Sequence, residues 1–188
     1  MLKSVILIAL TLVIAIGGGA GSVWLMMEEV EDFGSLVIGE WTVNPTEGTP
    51  EADPYAKARF ARDGKLSLGA AEGVQFIAAR DSTGRPLSGA CDYLLTGNVP
   101  PSRFWTLHAV EQGASGQPKA LQSLALLRQG DGTFSIAVSR HPMPGNWLAL
   151  ETARPYRLVL AVYDTPTVST AQFVDVALPR IVRERCDG

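Results

Sequence analysis

The sequence predicts a mainly β domain of the sandwich or barrel class, carried behind a single N-terminal membrane helix. Three observations predict it. No residue from Ser4 to Met27 carries a charge. Beyond Gly69 short apolar runs are separated by Gly, Pro, Asp and Ser clusters roughly every 8 to 14 residues, the punctuation of sandwiches and barrels. Within one such run Cys91, Tyr93 and Leu95 alternate with Asp92 and Leu94, so that each set falls on its own face of a strand.

At about 1.5 Å per residue the uncharged run makes a helix of roughly 36 Å, enough to cross a hydrocarbon core of ~30 Å. Lys3 and the amino terminus are the positive groups on one side, and the next basic residue is Lys57. The N-terminus is therefore expected in the cytosol, with the single-pass helix in the cytoplasmic membrane and the C-terminal domain on its far side. The alternative is a cleaved secretory signal, with Val5 to Ile16 as its apolar region and Ala20 and Ser22 at the cleavage positions. Against that stands the apolar run that resumes at Val23, with Trp24 where interfacial aromatics collect. Gly17 and Gly21 form a small-xxx-small pair, the pattern through which two membrane helices approach closely. A homodimer is one expectation from that pair; a glycine run merely tolerated in lipid is the other. The chain thus divides into a membrane helix at 1–30, a linker at 31–52 that ends by docking on the domain, and the β domain at 53–188.

Asp53 followed by Pro54 is a helix opening, because the carboxylate can accept orphan N–H groups and proline at the first position loses no needed donor. Tyr55, Ala58, Arg59 and Arg62 then lie at helical spacing before Gly64. Candidate strands follow at Val74–Arg80, Ala90–Thr96 and Arg103–Val110. Leu121–Leu127 reads equally as strand or helix. Asp131-Gly132 is a hairpin signal ahead of Phe134, Ile136 and Val138. Trp147–Leu150 and Tyr156–Tyr163 are further strands, and Phe173–Val182 is a candidate edge strand interrupted at Pro179.

The two cysteines, Cys91 and Cys186, meet an oxidising compartment if the domain is exported, and a disulfide between them is then expected. The other outcome is two free thiols. With a net charge of -3 the chain has no basic surface suited to nucleic acid. His108 and His141 are the only histidines, without the spacing of a zinc site, and no metal or cofactor is expected. No Gly-x-Ser-x-Gly elbow or phosphate loop occurs. Glu72, Asp81, Asp92 and Asp164 lie nearest strand ends, where two carboxylates facing each other could hydrolyse a glycoside. Asp81 and Asp164 are also explained as turn formers. Phe104, Trp105, Trp147 and Tyr163 either fill a core or line a groove that stacks on sugars. Arg103 and Arg157 would bind an anion in such a groove, or else snorkel to the surface.

Asp53-Pro54-Tyr55 with Ala58 and Arg59, Arg103-Phe104-Trp105-Thr106-Leu107, Gly145-Asn146-Trp147-Leu148 and Tyr163 after a strand together resemble the bacterial family called domain of unknown function 1214. The resemblance spans about Trp41 to Val182. It implies a jelly-roll-like β-sandwich in a short, membrane-anchored protein of the proteobacterial envelope; in longer relatives the domain follows a second uncharacterised domain, which is not expected here. Family members often carry an arginine two residues before the matching tyrosine, where this chain has Ala161, so no anion site is assigned to that position. The family carries no agreed activity. The expectation is a non-catalytic envelope protein that binds a protein or glycan, with Arg103, Trp105, Asn146, Trp147, Arg157 and Tyr163 as candidate contacts. A periplasmic carbohydrate hydrolase with paired carboxylates is the alternative.

Overall fold

The computed structural model describes residues 2–29, 35–54, 57–58, 61, 68–69, 72–111, 119–166 and 176–187. Helix α1, Leu2–Glu29, contains a 24-residue apolar stretch, Leu2–Leu25, whose most apolar 18 residues have a mean hydropathy of 2.2 and are not buried. It is long and apolar enough to cross a membrane, a property that membrane anchors and signal sequences share. Added side-chain atoms at Gly17 or Gly21 would meet nothing within 4 Å, so that face is bare.

Ten strands form among the described residues. The first five are β1 (Leu36–Ile38), β2 (Trp41–Val43), β3 (Gly73–Ala78), β4 (Cys91–Gly97) and β5 (Phe104–Glu111). After them come β6 (Ala120–Gln122), β7 (Phe134–Ser139), β8 (Asn146–Ala149), β9 (Tyr156–Tyr163) and β10 (Arg180–Cys186). They make a six-stranded sheet in the order β1-β2-β3-β9-β5-β6 and a four-stranded sheet in the order β10-β4-β7-β8. The inward faces of both sheets supply one core, including Trp41, Phe76, Tyr93, Leu95, Trp105, Phe134, Ile136, Leu158, Leu160 and Ile181. The fold is therefore mainly β and sandwich-like, as the punctuation of the sequence predicts.

Local chemistry explains the elements. In β4 the alternation sends Cys91, Tyr93 and Leu95 into the core. The Asp131-Gly132 turn closes the approach to β7: Gly132 takes φ 84°, Asp131 Oδ1 accepts from Thr133 N at 2.9 Å, and Gln129 N donates to Thr133 O at 2.8 Å. The β7–β8 pair is parallel, although only residues 140–145 connect it. Parallel neighbours usually need a dozen or more residues to cross over. Here the return is fixed at the Ser139 carbonyl, which accepts from Leu150 N and from Trp147 Nε1, both at 3.0 Å.

Residues 36–43, inside the stretch read as a linker, form the β1–β2 hairpin at the edge of the larger sheet. Its two-residue turn places Gly39 at φ 61°, a conformation that favours glycine. Trp41 is fully buried and donates its Nε1–H to the Pro179 carbonyl at 2.7 Å. Pro54, Lys57, Ala58 and Ala61 are helical, and Lys57 N donates to Asp53 O at 3.0 Å. The rest of that expected helix, including Tyr55, Arg59, Arg62 and Gly64, lies outside the described residues.

One expectation is corrected and another is narrowed. Leu121–Leu127 is neither one strand nor one helix: β6 ends at Gln122 and a single 3-10 turn, Ser123–Ala125, follows. The tail does supply an edge strand and Pro179 does bound its pairing, because proline has no N–H for the ladder, but the strand runs Arg180–Cys186 against β4 and not through residues 176–179. Residues 173–175, the start of the expected strand, lie outside the described residues. At the far end of β10, Cys186 sits opposite Cys91 in register and the two are disulfide-bonded across a separation of 95 residues.

Candidate functional site

Side chains on one strand alternate between faces, so Phe104 and Trp105 part company. Trp105 points into the core, with its ring 5.0 Å from that of Phe134 and its backbone N–H donating to Ser123 Oγ at 3.1 Å. Phe104 lies opposite Tyr163 on the outer face of the larger sheet, and the two rings stack at 4.4 Å and 9°. Arg103 is exposed beside this stack and its N–H donates to the Tyr163 carbonyl at 3.2 Å. Arg157 stands at the opposite end of β9, paired with Val110, about 20 Å along the strand from Tyr163. His108 occupies the same outer face, half-buried, and burial pushes its imidazole below its ordinary value of 6.5.

Asn146 and Trp147 belong to the other sheet. The Asn146 amide is engaged on every side: its Oδ1 accepts from Leu127 N at 2.8 Å, while its Nδ2 donates to Leu127 O at 2.8 Å and to Ser135 O at 2.9 Å. It thus pairs with Leu127 as a second peptide group would. Trp147 is half-buried, with its Nε1–H directed at Ser139 O. The six candidate contacts therefore fall in three places: Arg103, Tyr163 and the buried Trp105 at one end of β5 and β9, Arg157 at the other end, and Asn146 with Trp147 on β8. Replacing Asn146 with alanine is expected to cost about 2 kcal/mol through the partners it leaves unpaired. Urea unfolding of the variant measures this; an unchanged midpoint would show that the three bonds contribute nothing.

The carboxylates divide in the same way. Asp81 has no exposed side-chain surface, and its Oδ2 lies 2.8 Å from Arg183 Nε in an ion pair. Its Oδ1 accepts from Thr83 N, Thr83 Oγ1 and Arg85 N at 2.9, 2.6 and 3.0 Å. Burial raises its carboxyl, but the Thr83 hydroxyl, the two backbone N–H groups and the Arg183 charge together outweigh that and hold it below its ordinary 3.8. Asp92 shows the same balance: burial raises it, while Ser139 and Arg185, whose Nε is 2.7 Å away, bring it below 3.8. Both are held ionised, the wrong state for a general acid. Glu72 Oε2 accepts from Gly69 N at 3.3 Å, and Asp164 carries the positive φ of 51° that turns the chain after Tyr163. Among the described residues no group of three or more His, Cys, Asp or Glu side chains converges as a metal site would require.

A pair of leucines joins these residues, and no sequence signal singles it out. Leu124 and Leu127 are 85% and 70% exposed, on the segment that leads from the edge of the larger sheet to the hairpin before β7. Their exposure is imposed rather than incidental. Ser123 is buried on the Trp105 N–H, Leu126 packs against the core, and Asn146 clamps the Leu127 backbone from both sides. With those three points fixed, the remaining two side chains point outward. The run Leu121–Leu127 reads equally as strand or helix, and its sequence marks neither leucine as exposed.

The fold has a solved counterpart. A crystal structure of the VPA0106 protein from Vibrio parahaemolyticus is similar at a TM-score of 0.58 with 16% identity, over 90% of this chain and 43% of that one. A putative uncharacterized protein from Burkholderia cenocepacia gives a TM-score of 0.45 with 18% identity, over 89% of this chain and 40% of that one. The chain thus spans less than half the length of either. Among curated proteins none matches it. The β3-to-β9 region, with the Phe104–Tyr163 stack and the Asn146 clamp, falls within the match to a family model at residues 72–167, and on that match the chain belongs to the family described as protein of unknown function (DUF1214).

Proposed function

We propose that this protein is a non-catalytic binding module of the bacterial envelope, held at the inner membrane by α1 with its β domain in the periplasm, and that Leu124 and Leu127 contact another protein. The observation that carries the reading is the rigid presentation of these two leucines. Burying a leucine contributes about 1.5 to 3 kcal/mol, and a backbone held at Ser123, Leu126 and Asn146 keeps both from that burial within the chain. The same rigidity lowers the ordering cost of binding. Support for export comes from the apolar α1 and from the Cys91–Cys186 bond, which persists in oxidising compartments. Two acidic side chains drawn low, Asp81 by the Thr83 hydroxyl, backbone N–H groups and Arg183, and Asp92 by Ser139 and Arg185, weigh against the carbohydrate-hydrolase alternative. A glycan reading would rest instead on the Phe104–Tyr163 stack, but those rings already cover one another's faces.

A photo-crosslinking amino acid at position 127 of the full chain, expressed in intact cells, tests the proposal. A discrete protein adduct is expected from position 127, lost when Leu124→Asp is added and absent when the crosslinker replaces Val110, which is exposed on β5. The same pattern from both positions, or no adduct from either, would overturn it.

A further inference from the structure

The edge of the larger sheet that lies nearest α1 in the chain is apolar where it meets solvent. In β1, Leu36 is 46% and Val37 74% exposed, and among the described residues β1 pairs on one side only. Sheet edges are ordinarily blunted by charge, proline or a covering element. The chain length says what lies next to this one. Between Glu29, the last residue of α1, and Leu36 there are seven chain steps, which reach at most about 25 Å when fully extended. With α1 in a bilayer, β1 is thereby confined to the neighbourhood of the lipid surface. The opposite edge, β6, is five strand spacings away, about 24 Å across the sheet.

We infer that β1 rests on the membrane, with Val37 and Leu36 in the interfacial layer of the bilayer into which α1 is inserted. The inference rests on the anchor reading of α1. The charge pattern specifies the lipid chemistry. No lysine or arginine occurs between Lys3 and Lys57, whereas Glu28, Glu29, Glu31, Asp32 and Glu40 surround β1 in sequence. Contact is therefore apolar, with zwitterionic lipid, and gains nothing from anionic headgroups.

The test uses the full chain in phosphatidylcholine vesicles, with an environment-sensitive fluorescent amino acid at position 37 or, as the far-edge control, at position 124. Lipids carrying a nitroxide near the headgroup should quench position 37 severalfold more than position 124, and Val37→Asp in a chain labelled instead at position 36 should reduce the quenching. Replacing a third of the phosphatidylcholine with phosphatidylglycerol should not increase it. Flotation of the vesicles separates the two layers of the argument. A chain that fails to float with them overturns the anchor reading and the inference with it. A chain that floats but shows equal quenching at 37 and 124, or quenching that rises with anionic lipid, overturns the inference alone.

Discussion

Replacing Asp81 with alanine is expected to destabilise the domain by about 3 to 5 kcal/mol, because it strands Arg183 without its counter-charge in a setting that excludes water. The Arg183 side chain is only 14% exposed. Its remaining contacts are the Pro86 carbonyl, to which Nη2 donates at 2.6 Å, and the Tyr93 ring, whose centre is 5.3 Å from the guanidinium. The change also removes the acceptor for three hydrogen bonds that shape residues 81–85. Asp81→Asn separates the two contributions, since the amide oxygen can still accept those bonds while the charge is gone. Chemical unfolding at neutral pH should therefore rank wild type above Asp81→Asn and Asp81→Ala lowest.

The acid limb carries the same information with a fixed sign. A carboxyl whose folded value lies below its ordinary 3.8 binds its proton more readily when the chain unfolds. Its contribution is present in full above the unfolded value, near 4, and is lost as the pH falls through the lower folded value. Wild type should lose stability over that window more steeply than Asp81→Asn. Asp92 is shifted in the same direction, so part of the slope should persist in the variant. Identical slopes would mean that Asp81 is not held ionised by its neighbours.

Loss of the Cys91–Cys186 bond is expected to have an effect of similar size. A cross-link spanning 95 residues removes about 4 to 5 kcal/mol of unfolded-state freedom in the chain-entropy model. It closes β10 onto β4, the only strand with which β10 pairs among the described residues. Urea midpoints of the wild-type protein with and without reductant, set beside the Cys91→Ala/Cys186→Ala double variant, measure the contribution. Reduced wild type and the double variant should unfold together, well below the oxidised protein. Coincident curves for all three would show that the bond adds nothing.

Legibility in the sequence follows the length of the physical signal. A strand buried on one face writes a period of two, and Cys91, Tyr93 and Leu95 display it in the order of residues alone. The three-residue strands β1 and β2 are too short for a period, so only Trp41 hints that this stretch docks. Leu121–Leu127 is ambiguous because it contains half of each element. The charged tail looks unlike a strand because Arg183 and Arg185 spend their charges on Asp81 and Asp92, residues far away in the chain. Pairings of that kind have no sequence spacing to betray them. The candidate site is the least legible part. Asn146 can be singled out, but nothing in the order of residues says that its amide closes on Leu127 and leaves two leucines facing outward.

The sandwich also sets a schedule for its own formation. β3 waits for β9, and β4 is flanked only when β10 arrives, so neither layer can be completed until nearly all of the polypeptide has been synthesised. Completion of both layers therefore comes late, when the final strand is supplied. Removing that strand, Arg180 to Cys186, would leave the 91–97 edge and the place of Ile181 open and the assembly unfinished.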